Sequence, residues 1–254
     1  MEKVQIIILA AGKGKRMNSE DIPKVLIEIN NEPIIKYALK SIKESKICKK
    51  PIIVIGFQGQ KVVQALGTNY NYIEQKEQLG TGHAVGVCKD HLENKAENIL
   101  VLYGDHPTIT PKMLKDLVKS HIESKSVITL TTIKIPDFND WRSAFYSSGR
   151  IIRNNKGEVS AIVEKKDASP EQLNITELNA SYLCFNAKWL WENITKLKNN
   201  NSQKEYYLTD FLKLASNQKE KINTILIDTH EALGINTPEQ LEIVTKFISQ
   251  HSNL

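Results

Sequence analysis

Val4-Gln5-Ile6-Ile7-Ile8-Leu9-Ala10-Ala11-Gly12-Lys13-Gly14-Lys15-Arg16-Met17 lies at the start of the chain. Residues 4–9 are continuously apolar and largely β-branched apart from Gln5, the pattern of a strand buried on both faces. The run ends in small residues and two glycines. In a parallel α/β sheet, a loop leaving the carboxyl end of a strand is where ligands bind. Around Leu9, Ala10, Ala11, Gly12 and Gly14, backbone N–H groups can approach a polyphosphate, and Lys13, Lys15 and Arg16 add positive charge. An ordinary strand-to-helix turn with solvated lysines is the competing reading. No third glycine completes GxGxxG, and no GxxxxGK[ST] spacing is present, so neither a dinucleotide fingerprint nor a P-loop is written here.

Outward from this loop, strands and helices alternate. Residues 33–45 predict a helix, with Pro33 suited to a first turn and Ile34, Tyr37, Ala38, Ser41 and Ile42 at helical spacing. Strands at 51–55, 72–75, 98–103 and 126–133 alternate with helices at 60–66, 82–91 and 111–124. This rhythm predicts right-handed crossovers and a parallel sheet covered on both faces. After residue 133 strands dominate, at 150–153, 159–164 and 177–186, with a tight turn at Asn154-Asn155-Lys156-Gly157. Helices at 188–197, about 207–215 and 238–249, with a strand at 223–227, complete the chain. The expectation is one α/β domain over 1–254, with a mostly parallel sheet and a β-rich subregion that continues or covers it. Residues 1–133 would form one half of a lobed cleft and 134–254 the other.

Composition narrows the function classes. At 254 residues, with 41% hydrophobic and 25% charged residues, the chain can bury a core and is not globally disordered. The net charge of +5 comes from scattered lysines with no basic block interleaved with aromatics. That fits a small anionic substrate better than a nucleic-acid groove. Cys48, Cys88 and Cys184 are odd in number, dispersed and without a CxxC pair. They argue against a disulfide framework or zinc site and for a reducing compartment. The first apolar run is too short for a signal sequence, and no stretch approaches the roughly 18 apolar residues of a membrane span. The expected location is the cytoplasm, with no membrane or nucleic-acid partner.

Three further segments carry candidate chemistry. In Ile22-Pro23-Lys24-Val25-Leu26, a lysine held in a rigid step can neutralise charge growing on a transferring phosphorus, although Lys24 alone also reads as a surface residue. Tyr103-Gly104-Asp105-His106-Pro107 closes a strand beside the first loop, where Asp105 can hold Mg²⁺ on a triphosphate; a turn aspartate is the alternative. His106 has no His or Cys partner at suitable spacing and receives no metal role. In Glu77-Gln78-Leu79-Gly80-Thr81-Gly82-His83-Ala84 two glycines allow close approach to a flat base, and Gln75 can pair with a pyrimidine edge. A plain helix cap by Thr81 is the other reading. Gly149-Arg150-Ile151, Val163-Glu164-Lys165-Lys166, Glu177-Leu178-Asn179 and Leu233-Gly234-Ile235-Asn236 are individually weak.

Taken in order, LAAGKGKRM, PKVL, EQLGTGHA, YGDHP, SGRIIRN, IVEKKDAS, QKEYYLTD and GIN resemble the uridyltransferase domain of bacterial N-acetylglucosamine-1-phosphate uridyltransferases, within the sugar-nucleotidyltransferases. The likeness runs from Val4 to about Leu241. It implies a Rossmann-like nucleotidyltransferase fold with a β-rich sugar-binding subregion. It also implies in-line attack of a sugar 1-phosphate on the α-phosphorus of UTP, releasing pyrophosphate. Ala11 and Gly12, with Leu9, Ala10 and Gly14 in the same loop, would hold the triphosphate, with Arg16 and Lys24 as catalytic cations. Gln75, Gln78, Gly80, Thr81 and Tyr103 would line the nucleotide. Asp105 and Asn236 would hold Mg²⁺. Gly149, Glu164 and Asn179 would bind the amino sugar, with Tyr207 and Thr209 near its phosphate.

Several positions depart from the family's pattern. Lys15 stands where Thr is usual, Arg16–Lys24 is one residue longer, and His106 replaces a small apolar residue. Asn179-Ala180-Ser181 stands for Asn-Thr-Gly, and the segment before Gly149 departs from Tyr-Gly-Arg. The last two flank the expected sugar pocket and leave another sugar 1-phosphate, or a cytidylyl-type reaction, as the alternative substrate reading. A non-catalytic nucleotide-binding module would predict damage to Lys24, Asp105 or Asn236, and all three are intact. The family's bifunctional members add a C-terminal acetyltransferase β-helix, whose hexapeptide repeats do not occur in these residues, so no acetylation step is expected. Oligomeric state is not legible.

Overall fold

The computed structural model describes residues 2–17 and 22–251, with only the backbone of Glu2 and Lys15. Residues 18–21 of the lengthened Arg16–Lys24 segment lie outside the described residues. Strands β1 (Glu2–Ala10), β4 (Ile52–Ile55), β5 (Asn71–Glu74), β6 (Ala96–Tyr103), β7 (Ile128–Lys134), β8 (Arg150–Arg153), β9 (Val159–Val163), β10 (Glu177–Asn186) and β11 (Ile222–Leu226) form one sheet, and β2 (Glu28–Ile29) and β3 (Glu32–Pro33) a separate small ribbon. The sheet order is β11-β7-β10-β6-β1-β4-β5, with the β8–β9 hairpin attached at β10. All pairs are parallel along this order except those of β10, which enters antiparallel between β6 and β7. The two halves of the chain therefore share one sheet.

Alternation along β1 explains the layering. Ile6 and Ile8 point to one face and Ile7 and Leu9 to the other, as a period of two requires. The helices are α1 (Ile34–Ser45), α2 (Gly59–Leu66), α3 (Thr81–Gly86), α4 (Lys89–Leu92), α5 (Pro111–Ser124), α6 (Pro170–Leu173), α7 (Ala187–Asn193), α8 (Asp210–Asn217) and α9 (Pro238–Gln250). On the Ile6 face α1 and α5 pack through Ile35, Ala38, Leu114 and Leu117. Trp189, Leu190, Phe211 and Leu212 of α7 and α8 cover the Ile7 face. Burying each such side chain stabilises the fold by roughly 1.5–3 kcal/mol. A third cluster joins Phe145, Leu178, Ile235 and Val244 beneath the later loops.

Three helices start at a hydroxyl residue followed by proline: Thr110-Pro111, Ser169-Pro170 and Thr237-Pro238. The hydroxyl accepts a backbone N–H, and proline occupies a position whose own N–H would lack a partner. The helix expected over 82–91 is divided into α3 and α4, because Cys88 N donates to Val85 O (3.0 Å) and tightens the ladder by one residue. Sequence patterning missed the 3₁₀ helix Asp140–Ser147. Among the described residues, no helix is long and apolar enough to cross a membrane.

Candidate active site

The carboxyl ends of β1 and β6 lie side by side, with Leu9 opposite Tyr103 and Gly104 N donating to Leu9 O (3.0 Å). That pairing sets Asp105 beside the first loop. Lys24 donates to Oδ2 of Asp105 and to Oδ1 of Asn236 (2.9 Å). Asn236 is brought there from far along the chain by Ile235 N, which donates to Asp105 O (3.0 Å). Gly14, at φ +61°, packs so closely that a Cβ would stand 2.9 Å from the Lys24 Cβ. The first loop, Lys24, Asp105 and Asn236 are thus one assembly.

Asp105 is 6% exposed, and its Oδ1 is buried without a hydrogen-bond partner. Burial pushes its carboxyl up, but Lys24 and His106 outweigh that and hold it below the usual carboxylate range. Burial lowers the His106 imidazole, which Asp105 partly offsets. The buried Asp105 carboxylate, which keeps one oxygen free of hydrogen bonds, and the Asn236 amide oxygen meet at one ammonium and form a hard donor pair that fits a divalent cation.

Gly149, Glu164, Asn179, Tyr207 and Thr209 line the same cleft as Asp105 and Asn236, together with Thr81 and Tyr103. Thr209 donates to Oε1 of Glu164 (3.0 Å). Burial raises the Glu164 carboxyl, and the Thr209 bond only partly opposes this. Asn179 N donates to Gly149 O (2.8 Å), while its Oδ1 accepts from Ser181 N (2.9 Å). Ser181 sits at φ +72°, where β10 slips register against β7. Gly149 has no room for a side chain, since a Cβ would lie 2.5 Å from Ile162 Cγ2.

Arg150, which the sequence places in the Gly149-Arg150-Ile151 segment without a role of its own, is fully buried. It donates to the carbonyls of Tyr146 (2.7 Å), Ser148 and Leu173 (3.3 Å) and lies over the Phe138 and Tyr146 rings. It shapes the cleft wall ahead of Gly149. Its signal was a charged residue on the inward side of an otherwise apolar strand start.

In the segment expected to read the base, the polar groups bond to one another and to the 206–208 segment. Gln75 is 3% exposed; its Nε2 donates to Gly80 O (3.0 Å) and meets His83 Nδ1 at 3.0 Å. Its amide nitrogen therefore holds the loop instead of standing free for a base edge. Gln78 donates to Gln75 O (2.9 Å). Thr81 does not cap α3; its hydroxyl accepts from Leu208 N (3.0 Å). With Tyr206 N donating to Leu79 O (2.8 Å) and Gly82 N to Tyr206 O (2.7 Å), the 79–82 loop is stitched to the segment bearing Tyr207 and Thr209. Leu9 and Ala10 belong to the paired part of β1 and Ala11 is buried with its carbonyl accepting from Phe57 N (3.3 Å), so the open portion of the first loop begins at Gly12. Gly12 has open space around it, and Arg16 is exposed.

A mostly parallel sheet with a glycine-bearing loop, an acidic strand end and a polar cleft along one edge defines a nucleotidyltransferase fold. The model of the MobA-like NTP transferase domain matches residues 6–206, and the chain belongs to that family. It is 39% identical over 242 residues to the bifunctional protein GlmU of Acetivibrio thermocellus, covering 95% of this chain and 50% of that protein. It is 40% identical over 231 residues to that of Streptococcus pyogenes serotype M3, covering 91% and 48%. The chain spans about half the length of the curated relatives it matches. Among solved structures, a UDP-glucose pyrophosphorylase complexed with UDP-glucose superposes with a TM-score of 0.76 at 19% identity, over 98% of this chain and 100% of that one. A CMP:2-keto-3-deoxy-manno-octonic acid synthetase complexed with CTP gives 0.66 at 16% identity, over 98% and 99%. These two support the fold alone.

Proposed function

We propose that this chain transfers a uridylyl group from UTP to N-acetylglucosamine 1-phosphate, forming UDP-N-acetylglucosamine and pyrophosphate. The observation that carries the reading is the single cleft. Its Lys24–Asp105–Asn236 cluster is suited to phosphates and its Glu164–Thr209 and Asn179–Gly149 contacts to a hydroxylated sugar. Homology to GlmU over most of the chain supports UTP and the amino sugar.

A sugar phosphate oxygen attacks the α-phosphorus as the bond to the β-phosphate oxygen breaks, and pyrophosphate leaves. The nucleophile is already anionic, so no general base or covalent intermediate is required. Positioning and charge neutralisation suffice. Asp105 and Asn236 would hold Mg²⁺, which when bound neutralises phosphate charge and orients its oxygens. Lys24, tethered beside Gly14, then turns its ammonium towards the phosphates. Ala11, Gly12 and Gly14 offer backbone N–H groups, Arg16 an exposed cation in the same loop, and Glu164 and Asn179 hydrogen bonds to sugar hydroxyl and amide groups.

Ser181 favours a second reading in which the sugar differs. A non-glycine residue is kept at positive φ with its side chain lining the sugar end of the cleft. The test is pyrophosphate release with Mg²⁺ and UTP against a panel of sugar 1-phosphates. Release with N-acetylglucosamine 1-phosphate at least about tenfold above glucose 1-phosphate, about 1.4 kcal/mol of discrimination, is expected. Preference for another sugar keeps the transfer and moves the substrate. Silence with every sugar and nucleotide overturns the enzyme reading.

A further inference from the structure

The imidazole of His106 is placed where the cation reading leaves a donor unaccounted for. Tyr182 has one phenolic proton and donates it to the carbonyl of Glu231 (2.7 Å). Its oxygen also lies 3.1 Å from Nδ1 of His106, so Nδ1 must be the donor there. A neutral ring locked by that hydrogen bond carries its free lone pair on Nε2. This is the arrangement in which a ligating histidine is usually held, one nitrogen oriented by a partner and the other presented.

The presented nitrogen faces Oδ1 of Asp105 at 3.8 Å, beyond hydrogen-bond distance. That oxygen is buried and has no partner. The two lone-pair donors face one another at a spacing that one ion bound at roughly 2.0–2.2 Å from each can span. Gly234 packs directly on the imidazole, since a Cβ there would stand 2.5 Å from His106 Nε2 and 2.8 Å from its Cδ2. Lys24 occupies the other carboxylate oxygen, Oδ2, and does not block this side.

We propose that His106 Nε2 is a further ligand of the divalent cation held by Asp105, giving a mixed nitrogen–oxygen site. The inference rests on the reading of Asp105 as a cation ligand. Imidazole nitrogen favours first-row transition ions over Mg²⁺, which prefers oxygen. The site therefore binds Mn²⁺ more tightly relative to Mg²⁺ than a carboxylate–amide pair does.

The test is electron spin resonance of Mn²⁺ added to the full chain, with and without UTP, read by spin-echo modulation from directly bound ¹⁴N. Wild-type protein is expected to show imidazole nitrogen coupling, and His106→Gln to keep bound Mn²⁺ but lose the coupling. Mn²⁺-over-Mg²⁺ preference, from competition, should fall at least fivefold in that variant. Gly234→Ala retains the imidazole but crowds Nε2, and should lose the coupling while circular dichroism stays native. Bound Mn²⁺ without nitrogen coupling, or coupling that survives His106→Gln, overturns the role of His106 alone. Mn²⁺ binding unaltered in Asp105→Asn, or no Mn²⁺ binding by the wild type even with UTP, overturns the cation reading of Asp105 and this inference with it.

Discussion

Thr209 donates its hydroxyl to Oε1 of Glu164 across 3.0 Å, joining the end of β9 to the start of α8 at the floor of the cleft. The carboxylate is thereby aimed by a partner on a separate element. Glu164→Ala is expected to raise the KM for the sugar 1-phosphate by about tenfold or more, with much less effect on that for UTP. Steady-state kinetics with each substrate varied in turn decides it, and equal effects on both would remove Glu164 from the sugar site.

The same residue predicts a pH effect. Burial raises the Glu164 carboxyl above its unfolded value. The folded state therefore holds its proton to higher pH, and this contribution to stability is lost as pH rises through the raised value. Glu164→Gln should melt higher than wild type at pH 8, and the gain should shrink towards pH 4. Calorimetry at both pH values measures it.

Lys24 bridges Asp105 and Asn236, so the ammonium and a divalent cation compete for the same carboxylate. Lys24→Ala should bind Mn²⁺ several-fold more tightly while turnover falls roughly 10²-fold or more. Titration calorimetry and pyrophosphate release give opposite signs if Lys24 serves the phosphates. Parallel losses would mean that it only maintains the fold.

Gly80 lies at φ +109°, and a Cβ there would stand 2.7 Å from the carbonyl oxygen of Tyr206. Both backbone strain and steric overlap oppose a side chain. Gly80→Ala should cost about 2–4 kcal/mol in urea unfolding and weaken sugar and nucleotide binding together, because the 79–82 loop carries the 206–208 segment.

His121 is buried with Nδ1 2.9 Å from Thr129 Oγ1, and burial lowers its pKa to about 4. The folded value lies below the unfolded one of about 6.5, so stability is present above pH 6.5 and lost as pH falls towards 4. The shift corresponds to about 2–4 kcal/mol of acid sensitivity. His121→Gln should flatten that part of the stability curve, measured by urea unfolding between pH 4 and 7.

Local pattern revealed most of the elements, because β-branched runs, helical spacing and the Thr-Pro and Ser-Pro starts act over a few residues. The strand around Ile6–Leu9 and helix α5 lie where those patterns put them. The burial of Arg150 and the 3₁₀ helix at 140–147 escaped, since a buried arginine is defined by carbonyls of Tyr146, Ser148 and Leu173 that no spacing rule brings together. Gln75 was legible as a polar residue at a strand end. That its amide nitrogen turns inward to Gly80 and His83 depends on how the loop closes.

The order of residues alone specified an α/β chain with a glycine-bearing loop after its first strand and the acidic and amide groups to work beside it. Hydrophobic period and turn chemistry are written residue by residue. Tertiary structure decided that β10 runs antiparallel into the middle of the sheet, that Lys24 meets Asp105 and Asn236, and that Nε2 of His106 faces Asp105. Those contacts join residues far apart in the chain, and only the packing of the whole sheet fixes their distances.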